Sequence, residues 1–494
     1  MDGRKALEKL ARDGAMIARL ASDSRRCAPG TAFFAWPGER GDGRAHVADA
    51  IGRGASAVLW EAKDWAWQDS WCVPNVPVLE LRQRAGEIAA AFHGDPSAAM
   101  WVCGITGTNG KTSCSQWLAA ALSAHGERAG VIGTLGSGIV GAPLAGVLNT
   151  TPDPLEIQRI LADLKASGAR AAAMEVSSHG LVQSRVNGVR FRCALYTNLS
   201  HDHLDYHGSM QAYAEAKARL FATPGLETAV LNLDDAFGVR LARRLQGTGV
   251  RTIGYSLAQS AIAPGSVDEF VAAGTLEYRA GGMQLGIVSN RGEASVELLQ
   301  VGRFNASNAL GVLGCLLARG LDFHAAAALL AALPPVPGRM QRLGGEGRPL
   351  VVIDYAHTPD AIEKVLQALR PVAAANGRLH IVFGAGGDRD ASKRSLMGAI
   401  ASRLADRVVL TSDNPRSEDP AAILAAIRHG VSTEHLVEPD RANAIAAAIT
   451  AAQAGDVVLI AGKGHEEYQE AGGQRSPFSD TAQAKKALAA WRPA

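Results

Sequence analysis

At 494 residues the chain exceeds what one hydrophobic core organises, and it predicts about three domains of ~150 residues each. A composition of 47% hydrophobic and 20% charged residues excludes a disordered chain, and a net charge of +2 lacks the basic excess of a nucleic-acid binder. Six scattered cysteines without a CxxC pair argue for reduced thiols rather than a disulfide framework or zinc site; with no signal-peptide core and no uncharged apolar run of ~18 residues, a soluble cytoplasmic protein without a membrane span is expected.

Residues 1–97 form one compositional block, in which Ala32–Trp36 predicts a strand entering the Pro37-Gly38 turn and Leu81–Phe92 predicts a helix. From 98 to 335, apolar strands alternate with helical stretches. Trp101 to Cys103 reads as the end of a buried strand, Lys111–Gly126 as a helix with a glycine stop, and Ala169–Val176, Cys193–Asn198 and Ala229–Asn232 as strands. Tyr213–Phe221 reads as an amphipathic helix on which Lys217, taken alone, is a solvated lysine. The run Pro334-Pro335-Val336-Pro337-Gly338 is the clearest linker. Between 336 and 494 the alternation restarts, with Leu350–Asp354, Leu379–Gly384, Arg407–Ser412 and Asp456–Ala461 as strands. The expected fold class is therefore α/β in three domains: 1–97, a central P-loop domain over 98–335 with a mainly parallel sheet, and a Rossmann-like open sheet over 336–494 that takes ligands at its strands' carboxyl ends.

The segment Gly104 to Ser113 (GITGTNGKTS) carries the strongest chemical signal. A glycine-rich strand-to-helix turn aims backbone N–H groups and a helix dipole at one point, where a phosphate sits. Lys111 adds a point charge and Thr112 a hydroxyl for Mg2+. The strict P-loop pattern wants Gly where Ile105 stands, with glycines at 104 and 107 instead. Glu175 closes a strand, a position suited either to holding Mg2+ or to an ordinary surface carboxylate. Residues 196–208 (YTNLSHDHLDYHG) pack three histidines and two aspartates into one loop without zinc spacing, which suits metal and triphosphate contact; His201, Asp205 and His207 individually also fit a capped polar turn. Gly384 to Arg389 imitates a dinucleotide fingerprint, but Arg389 occupies the third glycine position, so a nicotinamide site is disfavoured.

Taken in order, TGTNGKT at 106–112, Asn149 to Pro152, Glu175 to His179, Asn198 to Asp205, Ala216-Lys217, Arg303 to Asn308, Gly338 to Met340, Asp354 to Pro359, Gly386 to Asp390, Asp413 to Arg416 and Gly462 to Glu466 resemble the Mur ligases, ATP-dependent amide-forming enzymes of peptidoglycan precursor synthesis, over about residues 20–480. The set is most similar to members that add meso-2,6-diaminopimelate to UDP-N-acetylmuramoyl-L-alanyl-D-glutamate; a lysine-adding ligase and a folylpolyglutamate synthetase are the nearest alternatives, and a P-loop switch is a rival of another class. The resemblance implies that Gly107, Thr108, Asn109, Gly110, Lys111, Thr112 and Ser113 cradle ATP, with Asn305 and Asn308 near the adenine and Arg339 and Asp354 on phosphates and ribose. Thr112 and Glu175 would hold one Mg2+, and a carbamate formed on Lys217 would hold a second together with His203. Ser22, Ser24, Glu39, Arg40 and Gly41 would take the uridine end of the nucleotide-sugar peptide; Asn149, Thr150, Thr151, Ser177, Gln183 and Arg185 would take its muramoyl-peptide portion. Arg389, Asp413, Asn414, Pro415, Arg416, Gly462 and Glu466 would take the amino acid. The resemblance also implies small-molecule partners only, with no nucleic acid, and a monomer.

Overall fold

The structure is a computed structural model that describes residues 3–39, 41–279 and 282–493. Three open sheets follow one another along the chain. The first is four-stranded and parallel, β1 (Arg19–Ala21), β2 (Thr31–Ala35), β3 (Ala55–Glu61) and β4 (Asn75–Val78) in sequential order. Helices Gly3–Arg12 and Leu81–Phe92 cover one face, burying Leu10, Phe34, Leu59, Leu81 and Ile88. The second of these helices also docks on the middle of the chain. At Gly86 a Cβ would lie 1.8 Å from the Asn187 carbonyl oxygen, so only glycine permits that approach.

The second sheet comprises β5 (Trp101–Thr106), β6 (Ala129–Gly133), β7 (Gly136–Ile139), β8 (Ala171–Glu175), β9 (Cys193–Tyr196), β10 (Thr228–Asn232), β11 (Arg251–Ser256), β12 (Glu269–Arg279), β13 (Gly282–Ser289) and β14 (Gly292–Leu298). Its order is β14-β13-β12-β11-β10-β9-β5-β8-β6-β7. From β12 to β6 every pairing is parallel, as the alternation of strands and helices predicts. The outer pairings β12–β13, β13–β14 and β6–β7 are antiparallel, an extension the sequence reading did not anticipate. Helices Lys111–Ala124 and Arg303–Arg319 bury Trp117, Leu118, Leu313 and Leu316 on one face. Pro154–Ala166 and its neighbours bury Ile157, Leu161, Ala214 and Phe237 on the other. The chain leaves β5 towards β8 and β6 and returns to its other side at β9, so the sheet's switch point, where open α/β sheets bind ligands, lies at the carboxyl end of β5.

The third sheet holds β15 (Gln341–Gly344), β16 (Leu350–Asp354), β17 (Leu379–Phe383), β18 (Arg407–Leu410), β19 (His435–Val437) and β20 (Val457–Ala461), ordered β15-β16-β20-β17-β18-β19 and parallel except at β15. A hairpin of β21 (Tyr468–Ala471) and β22 (Gln474–Pro477) follows. Among the described residues no helix is long and apolar enough to cross a membrane.

Candidate active site

A cleft of about 760 Å³ opens between the carboxyl ends of the second and third sheets. Thr108 to Ser113 line one wall, and Asn305, Asn308, Arg339 and Asp354 the next. Arg389, Asp413, Asn414, Arg416, Gly462 and Glu466 line the far end. Segments separated by more than three hundred residues thus share one cavity.

Glycine is needed at both bends of the phosphate-type loop. A Cβ on Gly107 would fall 1.9 Å from Thr197 Oγ1, and one on Gly110, at φ +88°, 2.5 Å from Asn308 Oδ1. The Thr108 and Asn109 amides donate to Asn198. Lys111 Nζ folds back to donate to the carbonyls of Gly107 and Thr108, both at 2.9 Å. Burial lowers the Lys111 ammonium pKa, with the nearby Arg339 adding to the effect against the attraction of Glu175.

Glu175 is wholly buried at the end of β8, which removes the surface-carboxylate alternative. Thr112 Oγ1 donates to it at 2.9 Å, as do the amide and hydroxyl of Thr134 at 2.8 and 3.1 Å. Thr134 also donates to Thr150 Oγ1 at 3.1 Å, and Arg339 donates to Thr112 Oγ1 at 3.1 Å. A buried carboxylate ringed by hydroxyl oxygens is the hard donor set that suits Mg2+. Thr134 was missed in the sequence because nothing in its own segment marks it.

His203 begins a short helix in left-handed conformation, φ +54°, with its ring 4.8 Å from that of His179. Burial pushes its imidazole down to about 3 against the opposing pull of Asp202, leaving the neutral form that a metal ligand requires. The expectation for Lys217 as an isolated helix lysine is overturned. It is 1% exposed, because its helix packs beneath the phosphate-type loop. Its Nζ donates to the Gly107 carbonyl at 2.8 Å and lies 4.3 Å from the Tyr213 ring centroid. Burial, reinforced by Lys111, drives the amine well below the ordinary lysine range.

The residues assigned to the nucleotide-sugar peptide are only partly brought together. Thr150 lines the cleft, while Asn149 is exposed beside it. Thr151 Oγ1 donates to the Glu175 carbonyl and accepts from the Ser177 amide; Arg185 donates to the Thr151 carbonyl and to Gln183. Gln183 and the Tyr206 hydroxyl donate to Glu39, linking the first unit to the histidine loop at 2.8 and 2.5 Å. Gly41 closes a turn with Gly38, and Arg40 lies outside the described residues. Ser22 follows β1 and Ser24 opens the short 3-10 helix Ser24–Arg26; neither lines the cavity.

At the amino-acid end, Pro415 contributes backbone rather than lining, its carbonyl packing so closely that a Cβ on Gly387 would meet it at 1.9 Å. Arg416, in left-handed conformation at φ +51°, donates to the Gly387 carbonyl at 2.5 Å. Polar contacts join the second and third units across the cleft, Lys393 to Asp202 at 2.7 Å, Asn109 to Asp360 at 3.4 Å and Arg339 to Thr112, and Val301 and Phe304 pack into the core of the third unit. Beneath it, Cys103, Cys193 and Cys315 converge with their sulfurs within 4.8 Å of one another in apolar core, although the sequence shows them as scattered.

Family models described as the Mur ligase family catalytic domain, the Mur ligase middle domain and the Mur ligase glutamate ligase domain match residues 16–93, 105–316 and 338–464. The chain belongs to the Mur ligase family. Among its relatives, a UDP-N-acetylmuramoyl-L-alanyl-D-glutamate–2,6-diaminopimelate ligase of Chromobacterium violaceum is 51% identical, the match covering 97% of this chain and 95% of that one. A protein of the same name from Pseudomonas aeruginosa is 52% identical, with 96% of each chain covered. A solved structure of a ligase of that name is 38% identical and superposes with a TM-score of 0.68 over 96% of this chain and 95% of its own.

Proposed function

We propose that the protein is an ATP-dependent ligase that joins meso-2,6-diaminopimelate to the D-glutamyl side-chain carboxylate of UDP-N-acetylmuramoyl-L-alanyl-D-glutamate. The observation that carries this reading is the single cleft with a phosphate-type loop at one end and Asp413, Arg416 and Glu466 at the other. A glutamyl carboxylate oxygen attacks the γ-phosphorus of ATP, and ADP departs. The free amine of diaminopimelate then attacks the acyl carbon; the tetrahedral intermediate expels phosphate, and the amine's surplus proton is lost. Lys111 neutralises charge on the transferring phosphoryl group, and Arg339 and Asp354 act from the hinge side on phosphates and ribose. Much of the acceleration is positioning, since two anions must meet in line.

Thr112 and Glu175 would hold one Mg2+, and His203 and a Lys217 carbamate a second; bound Mg2+ supplies charge neutralisation between phosphate oxygens. The neutral Lys217 amine suits CO2 capture, which replaces an amine with an anion. All three binding regions lie on one chain, which supports an enzyme working as a monomer, and its six unpaired cysteines support a cytoplasmic one. The test is ADP release with the UDP-muramoyl dipeptide and a panel of amino acids. Release that requires both the dipeptide and diaminopimelate supports the ligase; ATP hydrolysis indifferent to the dipeptide identifies a switch ATPase, and equal use of lysine removes the assigned amino acid.

A further inference from the structure

Lys463 has no part in the reaction as proposed above, yet it is 0% exposed directly behind the amino-acid end of the cleft. Its Nζ donates to Asn414 Oδ1 at 2.7 Å and lies 3.4 Å from Glu466 Oε2 and 3.6 Å from Asp413 Oδ1. Asn414 passes the contact on, its amide nitrogen donating to Glu466 Oε2 at 2.8 Å. The other charges packed on this cluster are few. Arg441, on the helix Arg441–Ala451, and Asp480, at the start of the helix Asp480–Ala490, form a fully buried pair at 2.7 Å, with Arg441 Nη2 donating to the Ala461 carbonyl. On β21, the Tyr468 ring lies 5.6 Å from Lys463 Nζ, and Glu470 pairs outward with Arg475. Three carboxylates, Asp413, Glu466 and Asp480, therefore face two buried cations, Lys463 and Arg441, which leaves one surplus negative charge where the cleft ends. Buried charge is tolerated when it is compensated, so this surplus is a demand for one cation. Arg416 supplies a guanidinium at the mouth of the same wall.

The two together are the complement of an amino-acid head group, ammonium inward and carboxylate outward. We propose that Lys463 is a positioning residue for the amino-acid substrate: by bonding Asn414 and offsetting Asp413 and Glu466, it limits that carboxylate pair to a single net negative charge, which faces the substrate's distal ammonium. This rests on the ligase reading above. Without Lys463 the surplus becomes two and the carboxylates repel one another, while Asn414 Oδ1 keeps only the Glu470 amide, at 3.0 Å, as donor.

The experiment measures KM for diaminopimelate and for ATP in the wild type, Lys463→Met, Glu466→Gln and the double variant. Loss of a buried charged partner should raise the diaminopimelate KM of Lys463→Met by about tenfold or more, with the ATP value within about twofold. The double variant, whose charge count is restored, should be no worse than the poorer single variant. If Lys463→Met does not fold, Asn414→Asp, which keeps the lysine and adds a carboxylate, should show the same selective rise. An unchanged diaminopimelate KM, a parallel rise for ATP, or additive losses overturn the inference while wild-type turnover stands. Absence of diaminopimelate-dependent turnover in the wild type overturns the ligase reading and this one with it.

Discussion

Replacing the Lys217 amine should stabilise the protein while ending its chemistry. The side chain is buried, its amine makes one hydrogen bond, to the Gly107 carbonyl, and its one aromatic contact is the Tyr213 face. Methionine nearly conserves the volume, and such swaps cost less than ~1.5 kcal/mol. The variant recovers the roughly 1–3 kcal/mol of burying an under-satisfied polar group. It forfeits about 1 kcal/mol for the hydrogen bond, and the neutral amine has no cation–π attraction to the ring to lose. The Gly107 carbonyl is not orphaned, because Lys111 still donates to it at 2.9 Å. At mid-range these leave a gain of about 1 kcal/mol, or roughly 2–4 °C in the transition of the middle unit, before the repacking cost of the swap is subtracted. Calorimetry on nucleotide-free protein in CO2-depleted buffer measures the gain, and ADP release should fall to background. A loss exceeding ~1 kcal/mol would refute the reasoning, since it would show that the amine is a net structural asset.

Lys111→Ala should leave the fold intact and reduce ADP formation by about a thousandfold or more, because it removes charge stabilisation from the transferring phosphoryl group; near-normal turnover by a folded variant would remove the loop from the mechanism. Arg416→Ala should raise the diaminopimelate KM by roughly a hundredfold with the ATP value nearly unchanged, since a charge-assisted fork is lost; its φ of +51° strains alanine no less than arginine, so the melting temperature checks that the effect is local. Stability should fall as the pH drops from about 6.5 to about 4. Burial, aided by Arg339, pushes the His465 imidazole down to about 4, so in that window the unfolded chain takes up a proton that the folded state refuses. His203 and His207 are depressed in the same way, so His465→Asn should flatten only its share of this acid limb in urea melts, and an unaltered slope would exclude the residue as a contributor.

Local signals carried much of the architecture. The glycine turn at 104–113, the helix Leu81–Phe92 and the β16 and β20 strands follow from spacing and residue type, because backbone periodicity and turn chemistry are properties of neighbours in the chain. The ordered motifs named the chemistry, and the cleft holds the loop, the hinge residues and the amino-acid end in one place. Lys217 shows what local pattern omits: its helix has the composition of a surface element, and its burial was decided by the loop and ring that pack over it. The alternation of β13 and β14 is visible in their residues, but their antiparallel place beside β12 is set by pairing partners distant in the fold. Thr134 and the three converging cysteines gain their neighbours through the sheet order, as Lys463 gains Asn414 and Asp413. The sequence by itself determined which groups are available and which turns can hold them; the tertiary structure decided which are desolvated and which charges meet, because burial and Coulomb energy depend on distances that only the folded chain sets.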